Sequence, residues 1–211
     1  MMLCATLLVL LMDVSGSVST ENFRLQRQGV AAALRDIAVA RTVEAGPPMA
    51  LTLIEWDSRQ AVVLPWRMLR DRHDLAQVAD LIETAPRALS HGATHAGDAM
   101  MAGLDAIVAA PCHGEQAVID VSGDGTSNGG LDVIEARDRA SAMGVQVNGL
   151  AIVTEQEPEL GPWYRANVMT QDGFVIEAAG FEDVARAMRR KIIQEIATPG
   201  PGRTCPTEKE G

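Results

Sequence analysis

The segment Leu7-Leu8-Val9-Leu10-Leu11-Met12-Asp13-Val14-Ser15-Gly16-Ser17 decides the fold: an unbroken apolar run, then a carboxylate and two hydroxyls on alternate residues. An apolar run with no polar alternation reads as a strand covered on both faces, and such strands lie in the middle of parallel sheets. The polar residues then fall in the loop leaving its carboxyl end. From Met1 to Met12 the chain is apolar except for Thr6, with no Lys or Arg before the run and no small-x-small cleavage site after it. The run is also too short to span a bilayer, and its removal would destroy the strand that delivers Asp13, so it is not read as a secretion signal, and no membrane insertion is expected. The compartment stays open: periplasmic or secreted if an export signal stands upstream of Met1, cytoplasmic otherwise.

Outward from this strand the hydrophobic period switches repeatedly. Ser19 or Thr20 can cap a helix that carries Phe23, Val30, Leu34 and Ile37 on one side. Met49 to Trp56 and Gln60 to Trp66 are β-like runs separated by Asp57-Ser58-Arg59, a spacing that suits an antiparallel pair. Helices are predicted over Leu75 to Thr84, Thr94 to Ala110, Leu131 to Met143, Glu159 to Met169 and Phe181 to Ala197. Strands are predicted over Gln116 to Val121, Val145 to Ile152 and Gly173 to Glu177. This alternation predicts an α/β fold: a doubly wound, mostly parallel, Rossmann-like sheet with one antiparallel edge strand and helices on both faces. Ligands of such folds bind beyond the carboxyl ends of the strands, where the loops Asp13 to Ser17 and Ser122 to Asn128 both fall.

The 211 residues fit one domain, expected over residues 1–197, with 198–211, rich in Pro and Gly, as a flexible tail. Apolar residues at 47% and charged residues at 22% exclude a disordered or fibrous chain. A net charge of −10, with Arg189-Arg190-Lys191 the one short basic cluster, excludes nucleic acid as a partner, and aromatic content of 3% leaves little to stack on bases. Cys4, Cys112 and Cys205 are too few and too far apart for a zinc ribbon or disulfide scaffold. They form either three thiols or one disulfide, and Cys112 with Cys205 is the expected pair because both lie outside the predicted regular core.

Three short motifs carry chemistry. Asp13-x-Ser15-x-Ser17 offers three side-chain oxygens that can converge, a donor set suited to a hard cation. Gly92-Ala93-Thr94 opens a predicted helix, and Gly123-Asp124-Gly125 ends a predicted buried strand. Both motifs reach the same edge of the sheet as the first.

This order, D-x-S-x-S then G-x-T then strand-D-G, resembles the metal-ion-dependent adhesion site of von Willebrand factor A and integrin inserted domains. In more detail the chain resembles a group of bacterial single-domain proteins of this type, through runs such as Leu25-Gln26-Arg27, Glu55-Trp56, Val118-Ile119-Asp120-Val121-Ser122-Gly123-Asp124-Gly125 and Val147-Asn148-Gly149-Leu150. The likeness spans roughly Leu7 to Ile196. It implies that Ser15 and Ser17 bind Mg²⁺ directly, with Mn²⁺ or Ca²⁺ as alternatives. It further implies that Thr94 joins them in the ligand-engaged state and that Asp13 and Asp124 act chiefly through bound water. The implied partner is a protein presenting an Asp or Glu carboxylate to the cation, so the expectation is a binding module and not an enzyme. A metal-assisted hydrolase of phosphate or ester substrates is the alternative.

The remaining polar residues have plainer readings. Asp120, inside an apolar strand, is expected to be a buried carboxylate tied to backbone or to a helix. His91 and His95 flank Thr94 without a Cys nearby and are read as rim residues, not zinc ligands. No G-x-S-x-G elbow surrounds Ser15 or Ser122, and no G-K-[ST] phosphate loop occurs. Met100, Met101 and Met143 are read as core filling, and Trp163-Tyr164 as either an exposed patch or a lid packed on the sheet.

Overall fold

A six-stranded sheet organises the computed structural model, which describes residues 2–197. The first strand, β1 (Met2–Asp13), is central and is followed by α1 (Thr20–Leu34), α2 (Ile37–Ala45), β2 (Met49–Trp56), β3 (Gln60–Leu69) and α3 (Arg72–Thr84). The second half comprises α4 (Ala96–Val108), β4 (Cys112–Gly123), α5 (Val133–Ala142), β5 (Gln146–Val153), α6 (Leu160–Asn167), β6 (Val175–Ala179) and α7 (Val184–Ala197), entered through a 3₁₀ turn at Phe181–Asp183. The strand order is β3-β2-β1-β4-β5-β6, parallel except for β3, which pairs antiparallel with β2 at the edge.

The apolar run of β1 is explained by two cores. Leu8, Leu10 and Met12 pack with α1, α2, α3 and α7 on one face, while Val9 and Leu11 pack with α4, α5 and α6 on the other. Alternate side chains point to opposite faces of a strand, so a strand covered twice has no polar position left. Among the described residues, no helix is long and apolar enough to cross a membrane.

Several expectations need correction. The first helix stops at Leu34 and a new one, α2, starts at Ile37, because the Asp36 side chain accepts from Ala38 N at 2.8 Å and caps it. Ile37 is accordingly exposed and not part of the apolar stripe of α1. Met143 is also exposed, at the end of α5, where it fills no core. The disulfide joins Cys112 to Cys4, not to Cys205. Both β1 and β4 extend further towards their amino ends than the sequence suggested, and their parallel pairing sets Met2 beside Cys112. That brings the Cα atoms of Cys4 and Cys112 to 6.0 Å, a normal span for a cystine. Cys205 and the expected tail at 198–211 lie outside the described residues.

Two buried ionic groups fix the helices of one face. Arg27 of α1 pairs with Glu55 of β2 at 2.5 Å and also donates to Ile82 O at 2.6 Å. Asp120 of β4, expected as a buried carboxylate tied to backbone or to a helix, pairs with Lys191 of α7 at 2.9 Å, and Lys191 also meets Glu195 at 2.5 Å. Asn148 donates to the same Glu195 carboxylate at 2.9 Å. Pairing with opposite charge, aided by hydrogen bonds such as that from Asn148, is what makes ionic groups tolerable in an apolar core.

Candidate functional site

The strand order reverses between β1 and β4, so helices leave in opposite directions and a crevice opens at their carboxyl ends. Asp13 is the last residue of β1, and Asp124 follows the last residue of β4. Their loops meet. Ser15 N donates to Asp13 Oδ1 at 2.7 Å, Ser15 Oγ lies 3.3 Å from Ser17 Oγ, and Ser17 Oγ donates to Asp124 Oδ1 at 2.8 Å. Thr94 lines the same cleft of about 440 Å³ as Ser17 and Asp124, together with Asn22, Asn128 and Glu157. All five oxygen-bearing side chains picked out from the sequence therefore stand at one end of the sheet. Among the described residues, no three His, Cys, Asp or Glu side chains gather into a metal-ligating group. This cluster holds two carboxylates, and its other side-chain oxygens are hydroxyls.

Residues to which the sequence assigned no part in the site hold the loops in place. The Arg87 guanidinium donates to Val14 O at 2.6 Å, Val18 O at 3.0 Å, Ser15 O at 3.3 Å and Leu89 O at 2.9 Å, gathering carbonyls of the D-x-S-x-S loop. Its own loop is anchored in turn, because Glu55 Oε2 accepts from Ala88 N at 2.6 Å while Oε1 pairs with Arg27. Gln26 donates to Asp13 O at 3.1 Å. The runs Leu25-Gln26-Arg27 and Glu55-Trp56 thus supply part of the scaffold under the site. Buried Asp57 receives Arg59, and an added Cβ at Gly92 would strike its carboxylate, which explains the glycine of the G-x-T motif. Thr94 is clamped by Asn128, whose Oδ1 accepts from Thr94 N and whose N donates to Thr94 O, both at 2.9 Å. His95, expected on the rim, lies 3.2 Å from Asp98, and His91 is exposed with φ of 65°.

Burial pushes the Asp13 carboxyl up to about 7, against the lowering effect of its bonds to Ser15; Asp124 adds to the rise and Arg87 opposes it. Asp124 is also raised by burial, partly offset by the Ser17 hydroxyl. One oxygen of Asp13, Oδ2, is buried without a hydrogen-bond partner. Deep in the core, Asp120 is likewise pushed up to about 7 by burial, with Lys191 opposing and Glu195 reinforcing the rise. A carboxyl with a raised native value binds its proton more tightly in the folded chain, so its contribution to stability is present below the unfolded value and is lost as pH rises through the native one. The metal-free protein is therefore expected to melt at progressively lower temperature between pH 4 and pH 7. Calorimetric scans in EDTA check this, and a melting temperature that climbs across that interval would contradict it.

Over residues 3–200 the chain matches a family model described as a protein of unknown function (DUF1194). No curated protein matches it. Among solved structures it is similar to proximal thread matrix protein 1 from the mussel byssus, in a structure described as having a zinc-occupied MIDAS motif. Identity there is 16% and the TM-score 0.68, over 92% of this chain and 48% of that one. It is similar as well to a von Willebrand factor type A protein from Catenulispora acidiphila, at 15% identity and a TM-score of 0.64, over 92% of this chain and 43% of the other. A third likeness is to the pilus adhesin SpaC from Lactobacillus rhamnosus GG, at 13% identity and a TM-score of 0.69, over 92% of this chain and 31% of the adhesin. The chain thus spans about half or less of the length of these proteins. At such identities the likeness is one of fold, and the fold is von Willebrand factor A-like.

Proposed function

The chain belongs to the DUF1194 family of proteins of unknown function, and from that premise we propose that its site is a divalent-cation centre through which it grips a carboxylate of another protein. Ser15, Ser17 and Thr94 would hold the ion through hydroxyls, with Asp13 and Asp124 beside them. One observation carries the reading: Ser17, Thr94 and Asp124, from distant parts of the chain, line a single crevice, Ser15 Oγ lies against Ser17 Oγ, and Asp13 at the foot of the same loop has Oδ2 buried and unpartnered. A buried carboxylate oxygen without a donor is unfavourable, and a cation is the kind of group that satisfies it. The donor set is all oxygen, which favours Mg²⁺, Mn²⁺ or Ca²⁺ over softer metals. Mg²⁺ fits best, since it keeps several waters and needs few protein carboxylates. When bound, the ion supplies a positive charge with an exchangeable position that a partner's Asp or Glu can take. The likeness of fold to a pilus adhesin and to a protein with a zinc-occupied MIDAS motif supports the same reading.

Calorimetric titration tests it. Asp13→Ala and Ser15→Ala are expected to abolish Mg²⁺ binding while leaving the circular dichroism spectrum of the chain intact, and unchanged affinity in both would sink the proposal. Because metal must displace the proton that burial keeps on Asp13 up to about pH 7, the rise in melting temperature produced by Mg²⁺ is expected to be larger at pH 8 than at pH 5.5. Capture of a partner in Mg²⁺ and its release by EDTA would identify what presents the carboxylate.

A further inference from the structure

The cleft that holds Ser17, Thr94 and Asp124 extends past them, and its far side carries a charge that the cation centre does not use. Asp124 follows the carboxyl end of β4, and Thr154 follows that of β5, the next strand in the sheet. Glu157 stands in the same loop as Thr154, where its backbone N donates to Thr154 O at 3.2 Å and turns the chain back over the strand end. Both Thr154 and Glu157 line the cleft, and Phe181, just after β6, lines it as well. Glu157 is half-buried there, whereas Glu155 and Glu159 on either side of it are exposed. No Lys, Arg or His lines the cleft, and among the described residues no cation pairs with the Glu157 carboxylate.

We propose that the cleft takes a partner segment bearing two charges: a carboxylate for the cation and, two residues along an extended chain, a Lys or Arg for Glu157. The inference rests on the cation reading given above and narrows the partner to one class of sequence. With the ion set against Asp13 and Asp124, Glu157 is the charge in the cleft left facing whatever enters. A segment carrying only an acid would meet it as a like charge, so Glu157 selects against such partners as well as for a base. The spacing follows from the sheet. Neighbouring strands are about 4.8 Å apart, which puts the loop after β5 roughly 5–10 Å from the loop after β4. Residues i and i+2 of an extended peptide point to the same side about 7 Å apart, and so span that interval. Phe181 gives this side of the cleft an apolar wall, along which the methylene stem of a Lys or Arg can lie while its head reaches the carboxylate. The cleft volume of about 440 Å³ falls within the range of small-ligand sites, about 300–1,000 Å³, and admits a few side chains.

Calorimetry at saturating Mg²⁺ with two end-blocked peptides, Ala-Asp-Ala-Lys-Ala and Ala-Asp-Ala-Gln-Ala, is the test. The wild type is expected to bind the first about two- to fivefold more tightly, the range of one partly exposed ion pair, and the preference is expected to shrink in high salt. Glu157→Gln is expected to bind the two alike. Glu157→Lys is expected to reverse the preference and favour Ala-Asp-Ala-Glu-Ala over the lysine peptide. Every comparison is made on chains whose Mg²⁺ loading has been measured, so a lost cation centre is not mistaken for a lost contact. Equal affinity of the wild type for the two peptides, or a lysine preference that persists in Glu157→Gln, would overturn the inference and leave the cation reading standing. A wild-type chain that takes up no Mg²⁺, or that binds none of these peptides when loaded, would overturn the proposed function and this inference with it.

Discussion

Replacing Lys191 by Met is expected to destabilise the protein by about 3–5 kcal/mol, the usual cost of removing one partner from a buried ion pair. Lys191 is fully buried, 2.9 Å from Asp120 and 2.5 Å from Glu195, both also buried. Its removal leaves two carboxyls in an apolar interior with no positive charge between them. Asn148 still donates to Glu195 at 2.9 Å, so Asp120 bears most of the loss. The loss should be smaller at pH 5 than at pH 8, because a neutral Asp120 costs less to bury than an ionised one. For a chain of this size each kcal/mol corresponds to about 2–4 °C, so thermal melting resolves the effect readily. The double variant Asp120→Val/Lys191→Met removes one charge of each sign and is expected to be more stable than Lys191→Met alone. If the single variant melts with the wild type, the cluster does not hold α7 to the sheet by charge.

The second large effect is expected from the disulfide. Cys4 and Cys112 are 108 residues apart, and a cross-link closing a loop of about 100 residues lowers the entropy of the unfolded chain by the equivalent of roughly 4.7 kcal/mol on the chain-entropy account. Measured losses on removing native disulfides run about 2–5 kcal/mol. Cys4→Ser/Cys112→Ser, or reduction of the wild type, should lower the denaturation midpoint accordingly. The slope against denaturant is informative as well, since a chain freed of a long cross-link exposes more surface on unfolding and should show a steeper one. The bond joins β1 to β4 at the end of the sheet opposite Asp13 and Asp124, so Mg²⁺ affinity should survive its loss at temperatures where the chain stays folded. A double variant as stable as the wild type would show that strand pairing alone holds this end closed.

How much of this was legible in the sequence follows from what each pattern encodes. The continuous apolar run of β1 reports burial on both faces, and the alternation of strand and helix periods reports a doubly wound sheet, because side-chain period is a local property of backbone geometry. The one missed helix, α2, had a readable signal: Asp36 as a cap followed by apolar Ile37, Val39, Ala40 and Val43. The oxygen cluster was legible too, since each of Asp13, Thr94 and Asp124 sits at an element end and the fold class places those ends on one edge.

What sequence could not determine is which side chains meet across the interior. Nothing local marks Arg87 as the group that gathers the carbonyls of Val14, Ser15 and Val18, or Cys4 as the partner of Cys112. Tyr164 looks like any helical aromatic until Gly123 and Gly149 are seen to leave room for its side chain beneath the sheet. The physical reason is that a residue's period tells which face it occupies, while its partner depends on the register and spacing of elements far away in the chain. Those are set when the whole sheet and its helices pack, so only the tertiary structure decides them.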